Sequence, residues 1–334
     1  MTVQVELASI ADQQRWNDYV AASPQGTFFH QLEVLDVLAA HSRTTLELLV
    51  GRKGEEVVGL FPVFVKSVFG LTVAFSPPAG LKIPYLGPVL LNSSHLRQRT
   101  LEARHQEFVD GCLEYLEETV RSRYLNIRSA VGYEDIRPYI WHGFDILPRY
   151  TYHVDLTGGK DHLLAQFSGD ARTNIRKAEA NEATVTVGGE DAIERIITQV
   201  KARHVEQDKR FEVTPELVME LYRRLPAGSV LPYEAHVDGT YAGGNIVVSF
   251  GDTICVWLGG ATPGLDVPVN DLLDWKIMAD GVENGLTWYD FAGANVQQIN
   301  QYKSKFNPVL RPYFNIERAS QEMAVVAGIY KLLS

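Results

Sequence analysis

Tyr302-Lys303-Ser304-Lys305-Phe306 sets two cations between two aromatic rings. Ahead of it, Leu286, Trp288, Tyr289 and Phe291 form a short apolar, aromatic-rich run that reads as a buried strand. Ala292-Gly293-Ala294-Asn295 then breaks the run, and such small residues mark a turn or a close backbone approach. Positive charge beside a strand end and a glycine turn is a common place for an anionic ligand. Asp290 lies inside the aromatic strand, where a carboxylate must be partnered or have a raised pKa; it is either a base or a structural hydrogen-bond acceptor. Arg172 and Arg176 are four apart on one helical face with Lys177 beside them, a spacing that can clamp phosphates or simply present a solvated face paired with Glu179 and Glu182.

The elements that must position these groups follow from periodicity and punctuation. Ile10 to Ala21 and Phe28 to Ala40 read as helices, the latter with Leu32, Leu35 and Leu38 at near-helical spacing. Leu46 to Val50 and Val57 to Val65 flank Lys53-Gly54-Glu55 as a hairpin. Phe69 to Leu91, cut by Pro77, Pro78, Pro84 and Pro88, reads as a long constrained connection rather than regular sheet. A helix over Leu101 to Arg121 leads into a strand over Tyr124 to Ile127. The chain then repeats this order. Asp191 to Glu206 and Pro215 to Leu225 are helical, and Tyr233 to Val237 with Ala242 to Phe250 form a hairpin around Asp238-Gly239-Thr240. A strand over Thr253 to Leu258 follows, then a helix over Asp271 to Asn284 with Asn270 as its cap. Gly54 and Gly239 stand 185 residues apart, and the same offset sets Gly59 on Gly244. A repeat of this length is a duplicated domain. The boundary is placed near Arg149 to His153, giving domains 1–150 and 151–334, the second carrying most of the active cleft.

Composition sets the outer limits. At 334 residues the chain is too long for one ordinary core. It is 46% hydrophobic and 22% charged, as expected of a folded protein. A net charge of −10 argues against non-specific nucleic-acid binding by the surface as a whole. Cys112 and Cys255, each in apolar surroundings in different halves, read as inert core thiols in a reducing cytoplasm. No run approaches a membrane span, no signal peptide opens the chain, and the nine histidines show no metal-ligand spacing, so the expectation is a cytoplasmic protein without metal.

Two helices, a hairpin-led antiparallel sheet, a long helix and a further strand, twice over, resemble the FemAB-like proteins, which are tandem GNAT domains that transfer acyl or aminoacyl groups. The motifs are Gly143-Phe144 with Tyr150-Thr151-Tyr152-His153-Val154-Asp155-Leu156, Phe167-Ser168 with Arg172, Asn174, Ile175, Arg176, Lys177 and Ala178, and Tyr289-Asp290-Phe291-Ala292-Gly293. Tyr302-Lys303 and Phe306 stand where the family carries an aromatic-Lys pair and a downstream Phe. The resemblance implies an α+β fold of two GNAT-like domains and transfer to an amine of a small or nucleotide-linked acceptor, such as a cell-envelope precursor. It implies no permanently bound cofactor; aminoacyl-tRNA or acyl-CoA would be the co-substrate. Gly259 to Asn270 lacks the glycine-rich signature with which many GNAT enzymes hold coenzyme A pyrophosphate, and Pro263 and Pro268 withhold backbone donors there. Transfer needs an amine that loses a proton, a stabilised oxyanion and a held donor. Lys303, beside Tyr302, is expected to face the donor or oxyanion as a flexible loop lysine whose removal hardly changes stability. His204, Glu206 and Asp208 lie in the connection that helps shape the acceptor pocket of GNAT folds, which makes them candidates for the base. A different class stays open: a non-catalytic GNAT-derived module that binds an anion through Arg172, Arg176 and Lys303. The oligomeric state is not encoded in these patterns.

Overall fold

The computed structural model describes residues 2–320. In chain order the elements of the first half are β1 (Gln4–Leu7), α1 (Ile10–Ala22), α2 (Leu32–Ser42), β2 (Thr45–Lys53), β3 (Glu56–Val68), β4 (Leu71–Ser76), β5 (Val89–Leu90), α3 (Gln98–Glu114), β6 (Tyr124–Arg128) and α4 (Arg137–Trp141). Then come β7 (Asp145–Asp155), α5 (Lys160–Gln166), α6 (Gly169–Ala180), β8 (Thr184–Val187), α7 (Glu190–Glu206), α8 (Pro215–Arg224) and β9 (Val230–Val237). The remaining elements among the described residues are β10 (Thr240–Phe250), β11 (Thr253–Ala261), α9 (Val269–Glu283), β12 (Trp288–Asp290), α10 (Gln297–Lys303) and β13 (Val309–Ala319).

The described residues form two compact units, one of residues 2–79, 85–149 and 312–320, the other of 80–84 and 150–311. The sheet of the first runs β1-β2-β3-β4-β6-β13, and that of the second runs β8-β9-β10-β11-β12-β7. Strand directions match position by position: three antiparallel pairings, one parallel pairing (β4 with β6, β11 with β12), then an antiparallel closing strand. The two units are therefore copies of one α+β topology, with α3 and α9 in the same place between the strands of the parallel pair.

Each closing strand comes from the other half of the chain. Asn315–Ala319 of β13 pair with Tyr124–Arg128, and His153–Asp155 of β7 pair with Trp288–Asp290. The expected domains 1–150 and 151–334 are thus corrected at both ends. Residues 312–320 return to the first unit because β6 offers them an unpaired edge. Residues 80–84 join the second, where the Trp257 indole donates to the Lys82 carbonyl at 3.2 Å. Residues 321–334 of the expected second domain lie outside the described residues.

Local chemistry fixes the element ends. A Ser9–Asp12 capping box starts α1, Ser168 accepts from the Ala171 N–H to start α6, and Thr214 with Pro215 in the first turn starts α8. Four expected elements differ. The Phe28 to Ala40 helix is a 3₁₀ turn over Phe28–His30 followed by α2. The Leu101 to Arg121 helix begins at Gln98 and passes at Tyr115–Thr119 into a π turn. The proline-cut segment contains a regular strand, β4, because its prolines begin only after Ser76. Asn270 does not cap α9: Pro268 occupies the cap, and the Asn270 Oδ1 accepts instead from the Ala261 N–H at 2.7 Å.

In the first unit the parallel strands part after Ser76 and Ile127, and the chain's own Leu86-Gly87 fills the gap. Leu86 N–H donates to Arg128 O, Gly87 N–H to Ser76 Oγ, and the His30 ring meets Gly87 O at 3.2 Å. In the second unit β11 and β12 stay paired only from Thr253/Trp288 to Cys255/Asp290. Beyond that β11 continues beside β10, while Phe291 and Ala294 donate to Tyr152 O and Tyr150 O along β7. This divergence carries the candidate site.

Candidate active site

The turn that ends β12 is held from both sides. Ala292 has φ +53° and Gly293 φ +130°, conformations that side chains disfavour. The Ala292 N–H donates to Asp290 Oδ1 at 2.8 Å, and the Gly293 N–H donates to Thr151 Oγ1 at 2.8 Å. Thr151 Oγ1 in turn donates to Asp290 Oδ1 at 2.7 Å. From the other side the Lys303 ammonium donates to Phe291 O at 2.8 Å and to Gly293 O at 2.7 Å. α10 places Lys303 for this at its last turn, and Asn300, one turn earlier, donates to Ala294 O at 3.0 Å.

Behind the turn lies a second buried carboxylate. Asp274, on the core-facing side of α9, accepts from Tyr289 OH and Tyr302 OH, each at 2.5 Å. Burial pushes its carboxyl up to about 6, although the two hydroxyls and Lys303 pull the other way. Burial likewise raises Asp290 to about 7, against the Ala292 N–H and the Lys303 charge. The same burial lowers the Lys303 ammonium, while Asp274 and Asp290 support its charge. One helical turn before Asp274, Asp271 pairs with Lys305 at 2.6 Å and accepts from Asn174 Nδ2 at 3.3 Å. The Lys305 ammonium stands over the Tyr302 ring, 4.4 Å from its centroid.

Of the expected residues, Asp290, Tyr302 and Lys303 are brought together. Lys303 is not a flexible loop lysine: it is half-buried at a helix end with two of its three donors committed to backbone. Asp290 is an acceptor that fixes the turn, and Tyr302 is a donor to Asp274. On α6, Arg176 is exposed and Arg172 is half-buried, donating to Ala165 O at 3.4 Å. Lys177 donates to Asp266 O at 3.1 Å and so fastens α6 to the β11–α9 loop. α7 holds the same loop through Gln199 to Thr262 Oγ1 and Arg203 to Ala261 O. His204 uses Nδ1 on Val200 O at 2.9 Å and packs on Phe211, and Asp208 is exposed at φ +52° in the turn after α7. Neither is tied to the Lys303 cluster by the contacts these side chains make. Thr151, His153, Asn174, Asp271 and Asp274 had no role assigned from sequence. The signal for the last two was present: carboxylates three apart in Asp271-Leu272-Leu273-Asp274-Trp275, around and within an apolar run, have to be partnered.

Among the described residues no group of His, Cys, Asp and Glu could hold a metal ion, and no helix is long and apolar enough to cross a membrane.

Residues 165–304 match the family model described as an acetyltransferase (GNAT) domain, and this span contains every residue of the Lys303–Tyr302–Asp274–Asp290 cluster. No curated protein matches the chain. Among solved structures, the chain is similar to FemX, with a TM-score of 0.70 at 12% identity, covering 93% of this chain and 96% of that one. It is also similar to the C-terminal domain of a putative lysylphosphatidylglycerol synthetase from Agrobacterium fabrum, with a TM-score of 0.59 at 14% identity over 97% and 96% of the two chains. A tandem GNAT protein from the clavulanic acid biosynthesis pathway gives 0.52 at 13% identity over 94% and 97%. The chain shares the α+β fold of these structures, and residues 165–304 of its second unit match a GNAT-type domain.

Proposed function

We propose that the protein is an acyltransferase that moves an acyl or aminoacyl group onto an amine of a polar acceptor at the strand divergence of the second unit. The observation that carries this reading is Lys303. Two carbonyls of a strained turn orient its ammonium, and two buried carboxylates oppose the lowering that burial imposes on it. Its remaining N–H is the donor left for a developing oxyanion. When the acceptor amine attacks, the C–N bond forms, the acyl C–O or C–S bond breaks, and the amine proton leaves with the departing group. The ammonium opposes the charge that builds on the carbonyl oxygen in between.

The start of α9 weighs on the donor. Pro268 supplies no N–H, Asn270 is used on Ala261, and the Asp271 carboxylate sits in the first turn. A helix end that holds its own anion is poorly suited to pyrophosphate. This favours an aminoacyl ester such as aminoacyl-tRNA over acyl-CoA, and a cell-envelope precursor is the kind of acceptor that fits. The test is transfer of radiolabel from a mixed aminoacyl-tRNA pool, and separately from acetyl-CoA, to amine acceptors. Label transfer from the tRNA pool alone is the expected result. Transfer from acetyl-CoA alone overturns the donor. Binding of either without transfer, over a panel of amino-sugar and amino-acid acceptors, favours the non-catalytic module.

A further inference from the structure

His153 is a buried imidazole that the proposed chemistry does not use. It lies on β7 directly opposite Asp290 of β12. Its Nε2 is buried and makes no hydrogen bond, yet it stands 3.5 Å from Asp290 Oδ2. Asp290 Oδ1 already accepts two donors, Thr151 Oγ1 and the Ala292 N–H. Oδ2 is the oxygen that faces the imidazole, in a carboxylate only 2% exposed. Leaving the buried Nε2 unsatisfied is costly, and a proton shared with Oδ2 satisfies it. The charges that act on the pair are Lys303 on Asp290, and Arg311 and Asp252 on His153, whose ring packs on Trp288.

We infer that His153 Nε2–H donates to Asp290 Oδ2, and that His153 is thereby a positioning residue for Lys303. With the carboxylate oriented from Oδ2, Oδ1 is fixed to receive Thr151 and Ala292. Those two contacts fix the Ala292-Gly293 turn, whose carbonyls aim the ammonium. The chain of control runs imidazole, carboxylate, turn, ammonium. It gives the protein a catalytic lysine whose direction depends on a proton held on the neighbouring strand. Burial and Arg311 both lower the imidazole, to about 4, so it stays neutral near pH 7.

The inference rests on the acyltransferase reading only for its catalytic consequence, so its structural part is tested without substrate. Long-range ¹H–¹⁵N spectra of the uniformly labelled protein at pH 7 are expected to show His153 neutral with Nε2 protonated. In Asp290→Asn the amide can turn a donor towards the imidazole, and the proton is expected to move to Nδ1. A wild-type imidazole with bare Nε2, or one titrating like an exposed histidine, overturns the inference. The second readout is amide exchange at Gly293. His153→Phe is expected to lower its protection about tenfold or more, while His153→Gln, which retains a donor, restores it to within about threefold of wild type. Equal loss in both variants means packing alone and also overturns the positioning role. If the tautomer and exchange results hold but no acyl transfer is ever found, the proton link stands and the enzymatic reading falls.

Discussion

Lys303 carries the proposed oxyanion contact and also part of the turn's stability, a link its sequence position concealed. Lys303→Ala removes two hydrogen bonds to Phe291 O and Gly293 O and leaves those carbonyls half-buried in a strained turn. The expected stability loss is about 1–3 kcal/mol, read as a fall in the denaturant midpoint. With a donor established, kcat/KM is expected to drop roughly 100-fold or more, the usual cost of losing an oxyanion donor. Unchanged activity in a folded variant would refute the oxyanion role. Lys305 behaves differently although it is two residues away. Lys305→Ala strands the buried Asp271 carboxylate, at an expected cost of about 3 kcal/mol, whereas Lys305→Ala with Asp271→Asn should recover most of that loss. A cycle with no coupling energy would show the pair to be solvated. The residue types around Tyr302 announced positive charge beside aromatic rings, and they indeed lie in the cluster. What was not legible was where each cation spends its charge. Backbone carbonyls carry no signature in sequence, and a carboxylate on a distant helix pairs only once the chain is folded.

At the scale of elements, hairpins and helices were legible because their determinants are local: Gly54 and Gly239 at turns, Ser9 and Thr214 at caps. β4 and the Pro268 cap were not, because pairing partners and loop anchors decide them. The plug of the first unit is a further case. Its Leu86-Gly87 backbone occupies the divergence that bears Lys303 in the second unit, and His30 locks it. Full burial lowers the His30 imidazole to about 4, below the ordinary 6.5. Between those values the unfolded chain binds the extra proton, so this contribution is intact above pH 6.5 and is lost as pH falls towards 4. The loss approaches about 3 kcal/mol over that window, because each pH unit between the two values is worth about 1.36 kcal/mol. Asp274 and Asp290 act with the opposite sign, since a raised carboxylate favours the fold at low pH and loses that advantage as pH rises through about 6 and about 7. Comparing wild type with His30→Gln cancels them. The stability difference between the two proteins is expected to shift against wild type by about 3 kcal/mol from pH 6.5 to 4, and a constant difference would show that His30 does not titrate on unfolding.

The whole molecule turns on an exchange of closing strands that no periodicity in the sequence reveals. β7 follows α4 in the chain but serves β12, and β13 follows α10 but serves β6. A strand's residues set which face is buried, not which edge receives it. The consequence for folding is asymmetric. Residues 150–311 contain all six segments that pair in the sheet of the second unit, lacking only the short piece 80–84. Residues 1–149 lack the strand that pairs with Tyr124–Arg128 and the Phe314 backbone that exchanges hydrogen bonds with Ser129, so β6 becomes an open edge with Leu125 and Ile127 in its core. Such an edge invites association. Expressed alone, residues 145–311 are expected to fold cooperatively, whereas residues 1–149 are expected to associate or remain partly unfolded. Adding a peptide of residues 309–320 to the first fragment should restore a monomer with native-like amide protection at Tyr124–Arg128. A cooperatively folded, monomeric 1–149 fragment indifferent to the peptide would show that β13 decorates this sheet instead of completing it.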